Sequence, residues 1–172
     1  MSAADAHDDP AAAPIWRCVP FDSLSARELQ GIYMARQRVF AVEQACGFLD
    51  ADGFDELAQH LTAWPSGERE PLAYARLLEP GAKYAEASIG RVLTALQVRG
   101  RGVGRELMVR ALALVGAIWP GTGVRISAQT RLEPFYASLG FVAMGPPYLE
   151  DGIDHTEMLR QAEARTPPTF RV

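Results

Sequence analysis

The residues best suited to chemistry in this chain are concentrated in one turn, Arg99-Gly-Arg-Gly-Val-Gly104. Glycines let backbone N–H groups converge without side-chain obstruction. A helical pattern begins directly after the turn, and a helix N-terminus adds free N–H groups and the positive end of its dipole. Such a turn is an anion cradle that suits a pyrophosphate. Between Arg91 and Arg110 there are five arginines against one acid, Glu106, in a chain whose formal net charge is -4. Arginine presents a fixed fork of donors that matches phosphate and carboxylate. A second cluster is Phe135-Tyr136-Ala-Ser-Leu-Gly140-Phe141, after a strand ending at Gln129. Taken alone, Tyr136 on a short amphipathic helix is an ordinary boundary residue.

Three phosphate-binding turns compete for residues 99–104. A G-x-x-x-x-G-K-[ST] loop is excluded, because the only lysine is Lys83. A dinucleotide turn needs G-x-G-x-x-G near the first strand and an acid about 20 residues on. Here the spacing is G-x-G-x-G, past mid-chain, with no such acid. The third, [Q/R]-x-x-G-x-[G/A], binds coenzyme A, and Arg99-x-x-Gly102-x-Gly104 matches it position for position. The bland alternative is a glycine-rich solvent loop.

These residues need elements to position them. Ser25-Ala-Arg-Glu28 is a capping box, and Leu29, Ile32, Tyr33 and Val39/Phe40 follow at helical spacing. Residues 16–20, 60–64, 72–78 and 87–95 read as strands, with a turn at 65–71 and a break at Pro80-Gly81. A helix runs from Arg105 to about Ile118 and ends at Pro120-Gly121. Val124, Ile126 and Ala128 alternate with polar neighbours, as in a strand. A short helix over 132–139 is capped by Gly140, and 141–144 and 155–159 form two last strands. The expected fold is α/β (α+β), a mixed central sheet with helices on both faces. The expected organisation is one domain over residues 15–160, a disordered tail at 1–14 and a loose one at 161–172.

Composition narrows the function. The chain has 172 residues, 48% hydrophobic and 22% charged, the make-up of an ordinary globular domain. Net negative charge disfavours duplex nucleic acid as the main partner. The longest apolar run, residues 111–119, falls short of the roughly 20 residues a membrane span needs, and the N-terminus lacks the pattern of a secretory signal. The expected location is the cytoplasm. Cys18 and Cys46 form no CxxC and read as unpaired thiols, with no metal site.

Together the motifs resemble the GNAT acyltransferase superfamily, more narrowly its ElaA-like branch. The resemblance spans about residues 32–159. It rests on Arg38-Val-Phe-Ala-Val-Glu43-Gln44, Ala73-Tyr-Ala-Arg76, Ile89-Gly-Arg91-Val, the 99–104 turn, Ala128-Gln129, the 135–141 segment, and Glu150-Asp-Gly-Ile153 with His155. Leu96 stands where many members carry proline.

The resemblance implies an N-acetyltransferase moving acetyl from acetyl-CoA to a primary amine, on a small molecule or a peptide, by direct attack in a ternary complex. It implies a splayed strand pair that admits the pantetheine arm, paired by the backbones of Leu93 and Thr94. The pyrophosphate would sit on Arg99, Gly100, Arg101, Gly102, Val103 and Gly104, with Gln129 and Tyr136 beside the cofactor. Tyr136 matches the tyrosine that protonates the departing thiolate. Glu43 is the first candidate for the base, with His60 and His155 as runners-up. Asp50, Asp52, Asp55 and Glu56 are either solvated loop or a lure for a cationic amine. A non-catalytic acyl-CoA-binding regulatory module on the same fold is the alternative. Oligomeric state stays open, a homodimer included.

Overall fold

The computed structural model describes residues 13–162. The tails expected at 1–14 and 161–172 lie, but for two residues each, outside them. Strands β1 (Ile15–Pro20), β2 (Gln59–Trp64), β3 (Ala73–Leu78) and β4 (Ala87–Thr94) lie side by side, antiparallel. Beyond them come β5 (Val124–Gln129) and β8 (Ile153–Arg160). Both β6 (Val142–Ala143) and β7 (Tyr148–Glu150) pair with β8. Only β4 and β5 run parallel, joined through helix α2 (Val103–Ile118).

Period-two alternation explains how helices cover both faces. Ala73, Ala75 and Leu77 of β3 share a core with Leu107, Met108, Ala111 and Val115 of α2. Tyr74, pointing the other way, packs with Ile32 and Ala35 of α1 (Ala26–Arg36). β3 is therefore buried along its whole length. The expected capping box opens α1: Glu28 N–H donates to Ser25 Oγ at 3.2 Å, and Ser25 N–H to Glu28 at 2.8 Å. Gly31 is required by close approach, because a Cβ there would lie 2.2 Å from the Arg69 carbonyl oxygen.

Four local readings are corrected. The first helix continues as a π-helix over Gln37–Glu43, a widening that hydrophobic spacing does not disclose. α2 starts at Val103, two residues early, because Gly102 supplies the left-handed turn that begins it. The short helix is only Glu133–Ala137 (α3), preceded by a 3-10 turn at Thr130–Leu132. A third C-terminal strand, β7, is present. Its signal was Asp151-Gly152, whose φ of 49° and 80° make a two-residue hairpin turn between Glu150 and Ile153.

The feature that matters for function is a failure of pairing. β4 and β5 pair only at Ala87–Val124 and Ser88–Arg125, and residues 89–94 and 126–129 then diverge. A bulge in β4 accompanies the divergence. Tyr74 pairs Leu93 but Arg76 pairs Gly90, and Arg91 sits at φ 53°. Among the described residues no helix is long and apolar enough to cross a membrane.

Candidate active site

The glycine turn lies on the surface at the end of β4, where the diverging strands are furthest apart. Arg99, Gly100, Arg101 and Gly102 are exposed. Gly100 and Gly102 have φ of 74° and 82°, values that L side chains rarely adopt. Gly102 caps α2 without a side-chain hydrogen bond, and the first amide to close the helix is Glu106 N–H, onto Gly102 O at 3.0 Å. The N–H groups of Val103, Gly104 and Arg105 are thus left for a ligand. Arg105 is not free beside them; it donates to Ser138 Oγ at 2.9 Å.

Between the diverging strands runs a cavity of about 360 Å³, within the usual range for small-ligand sites. Because side chains alternate, the cavity has two unlike walls. On the α2 side are Ile126, Ala128 and Tyr136; on the other are Ser127, Gln129 and His155. Of the residues expected beside the cofactor, Gln129 and Tyr136 line it, as does His155, a runner-up for the base. The side chain of Leu93 is buried instead in the α1-side core, and the Thr94 carbonyl accepts from Arg99 at 3.0 and 3.1 Å.

Tyr136 is 6% exposed, its ring held edge-on between Phe135 and Phe141. Its hydroxyl makes no hydrogen bond among the described residues. Burial pushes its pKa up to about 12, so it is a neutral donor across the physiological range.

Glu43 does not line the cavity. Its two carboxylate oxygens accept from Arg99 at 2.5 and 2.9 Å. That pairing holds the carboxyl below its ordinary range and makes it a poorer proton acceptor. The residue expected as base and the first residue of the phosphate turn are thus each other's partners. Sequence could not show this, since they are 56 positions apart. His60 is fully buried. Its Nε2 faces the Asp55 carbonyl at 3.0 Å and must donate, so Nδ1 accepts from Tyr74 OH at 2.9 Å. Neither nitrogen is available, and burial lowers its pKa.

Three acids of the run are neither solvated loop nor lure, while the fourth, Glu56, is exposed. Asp50, Asp52 and Asp55 interlock with Arg36, Arg76 and Arg91 in one buried lattice. Arg36 donates to Asp50 and Asp55 at 2.7 Å each, and Arg76 to both Asp52 oxygens at 2.6 and 2.8 Å. Arg91, at the bulge, reaches Asp52 at 2.9 Å and the Asp50 carbonyl at 3.1 Å. The lattice ties the loop after the π-helix to the bulged strand, so it holds one cavity wall in place. Burial of Asp52 opposes its charge, but the hydrogen bonds and charge of Arg76 and Arg91 prevail and hold its pKa at about 2. Asp55 is lowered in the same way, against burial, by Arg36 and Arg76.

The sign for stability follows. A depressed carboxylate stabilises the native state above its unfolded pKa of about 3.9 and loses that contribution as pH falls through the folded value. His60, kept neutral, adds a loss that begins below about pH 6.5. Thermal melts should therefore show Tm declining gently below about pH 6 and steeply between about pH 4 and 2. A Tm that stayed level down to pH 3 would contradict this account of the lattice.

Residues that sequence reasoning passed over also face the cavity. Gln44, after the π-helix, accepts from Gln129 Nε2 at 2.9 Å and bridges the gap. Ser127 lies two residues before Gln129 and shares its face, a period-two signal that was present in the sequence. Its hydroxyl donates to Glu150 at 2.9 Å and lies 2.7 Å from Tyr148 OH. Both cysteines are half-buried free thiols, and Cys46 lines the cavity.

An exposed amide cradle at the open end of a split strand pair suits a nucleotide thioester, and known proteins share this fold. A family model of the acetyltransferase (GNAT) domain matches residues 67–161. ElaA of Escherichia coli K12 is 36% identical over 148 residues, covering 85% of this chain and 95% of ElaA. The crystal structure of E. coli ElaA superposes with a TM-score of 0.78 over 86% of this chain and 99% of that one. An acyl-CoA N-acyltransferase from Pseudomonas aeruginosa, 40% identical, superposes with a TM-score of 0.80 over the same shares. With its fold and most of its length shared with these proteins, the chain belongs to the GNAT acyltransferases, in their ElaA-like branch, and acts on an acyl-CoA.

Proposed function

We propose that the protein is an N-acetyltransferase that moves acetyl from acetyl-CoA to a primary amine by direct attack. The observation that carries this reading is Tyr136, a nearly buried residue whose hydroxyl, unpartnered among the described residues, lies in the wall of the split between β4 and β5. The diphosphate lies on the free amides of Val103, Gly104 and Arg105, with Arg101 adding charge from the exposed side of the turn. Gly100 and Gly102 keep that approach clear. Arg99, fixed by Glu43 and the Thr94 carbonyl, shapes the edge of the turn rather than chelating phosphate. The pantetheine arm takes the place of the missing β4–β5 hydrogen bonds, using backbone groups along residues 89–94.

The amine nitrogen attacks the thioester carbonyl, a C–N bond forms, and the C–S bond of the tetrahedral intermediate breaks. Holding both reactants in one cleft is the main source of rate. A thiol has a pKa of about 8.5, well below that of Tyr136. The hydroxyl therefore stabilises the departing sulfur first by donating a hydrogen bond. Its proton transfers fully only as the new amide nitrogen gives one up. A peptide or small-molecule amine suits the open mouth.

The test is a panel of amines with acetyl-CoA, read as thiol release, alongside calorimetry. Heat on binding acetyl-CoA and amine-dependent release are expected. No heat at millimolar acetyl-CoA would sink the reading.

A further inference from the structure

Resting on that reading, we propose that His155 is the general base, taking the proton from the incoming ammonium at Nε2, with Glu150 stabilising the imidazolium that results. His155 lies on β8 opposite Gln129 and lines the cavity wall across from Tyr136. Its Nδ1 is 2.9 Å from the Ile153 carbonyl oxygen. A carbonyl only accepts, so Nδ1 carries the hydrogen and Nε2 keeps its lone pair. Nε2 has no hydrogen-bond partner among the described residues.

Most other groups in the cavity are committed elsewhere or are the wrong kind; the remaining carboxylate, Asp151, is exposed in the turn between β7 and β8. Both oxygens of Asp52 are taken by Arg76 and Arg91. Burial raises the pKa of Cys46, Tyr84 and Tyr136, so each stays protonated. Glu150 accepts from Ser127 and Tyr148, at 2.9 and 3.4 Å, and lies 3.9 Å from His155 Nδ1. The charged and titratable groups that share the face of His155 on the elements packed against it are Tyr148 and Glu150 on β7, Arg125 on β5 and Glu157 on its own strand, with Asp151 in the turn and Arg131 after β5. Arg131 is tied to Gln129 at 2.8 Å.

The protons balance. Nε2 takes one from the ammonium and returns it to solvent. The freed lone pair attacks the carbonyl. The proton that Tyr136 gives to sulfur is replaced by the one the amide nitrogen sheds.

The test compares wild type and His155→Gln with acetyl-CoA and two amines, benzylamine, protonated at neutral pH, and methoxyamine, neutral there. Loss of a positioned base lowers turnover by about 10²-fold or more. That loss is expected for benzylamine, with the acid limb of its kcat/KM–pH profile removed, while methoxyamine turnover changes little. His155→Asn, which can keep the hydrogen bond to Ile153, checks folding and should fail in the same way. Equal losses for both amines, or an acid limb that persists in the variant, overturn the base. A wild-type enzyme that binds acetyl-CoA but releases no thiol with any amine of the panel overturns acetyl transfer to amines, whereas release that His155→Gln leaves undiminished overturns the base alone.

Discussion

Tyr136→Phe is expected to lower kcat by about 10²–10³-fold, the range for a lost acid in a proton-transfer step, with acetyl-CoA affinity and Tm unchanged. The separation of effects follows from the environment. The hydroxyl has no protein partner, so its removal leaves no buried polar group unsatisfied. The ring contacts that hold it, 5.0 Å to Phe135 and 5.9 Å to Phe141 between centroids, survive in phenylalanine. Stopped-flow thiol release and calorimetry on the same preparation read both quantities. Undiminished kcat would remove the tyrosine from the chemistry. A weakened affinity would show that it holds the cofactor instead. Because burial lifts its pKa to about 12, no basic limb from Tyr136 should appear below about pH 10.

Arg36→Met is the substitution expected to damage stability most. Arg36 is fully buried and makes three hydrogen bonds, to Asp50 Oδ2, Asp55 Oδ1 and the Asp50 carbonyl, at 2.6 to 2.7 Å. Methionine fills similar volume but leaves two carboxylates short of a cation. Breaking a buried pair from one side costs about 3–5 kcal/mol, which lowers Tm by roughly 10 °C or more in a chain of this size. A surface pair gives the contrast. Arg110–Glu106 on α2 is about half exposed on both sides and contributes only about 0.3–0.5 kcal/mol. Chemical denaturation of Arg36→Met and Arg110→Ala side by side checks the difference. If both lose equally little, the lattice is not what secures the 50–55 loop. Adding Asp50→Asn to Arg36→Met should recover part of the loss, since one stranded charge is then gone.

The two variants probe different layers of the same site. In the proposed mechanism Tyr136 acts at the reacting atoms, whereas Arg36 acts through the loop whose residues Phe48, Leu49 and Asp52 form a cavity wall. A modest activity loss in Arg36→Met at low temperature, growing on warming, is the pattern that a positioning lattice produces.

What was legible in the sequence was local. The capping box of α1, the glycine turn and the alternation of β5 each depend on residues a few positions apart. Asp151-Gly152 was legible too, as a two-residue hairpin signal. Its neighbours were read only as part of a family motif, and β7 was missed. The π-helix at 37–43 left no trace in the spacing, because seven residues at the end of a helix are too few to tell one turn width from the other.

The sequence by itself determined where an anion could be held and which superfamily the chain resembles, because backbone conformation and helix polarity arise within a short stretch. Only the tertiary structure decided which charged side chains remain available for chemistry. From the letters Glu43 stood first as base, with His60 and His155 behind it, and Asp52 read as solvated loop or lure. Folding placed Arg99, Arg76 and the Asp55 carbonyl against Glu43, Asp52 and His60 and left His155 with an open nitrogen. Pairing depends on distance in space and on the low dielectric of a buried site, and neither quantity is carried by order along the chain.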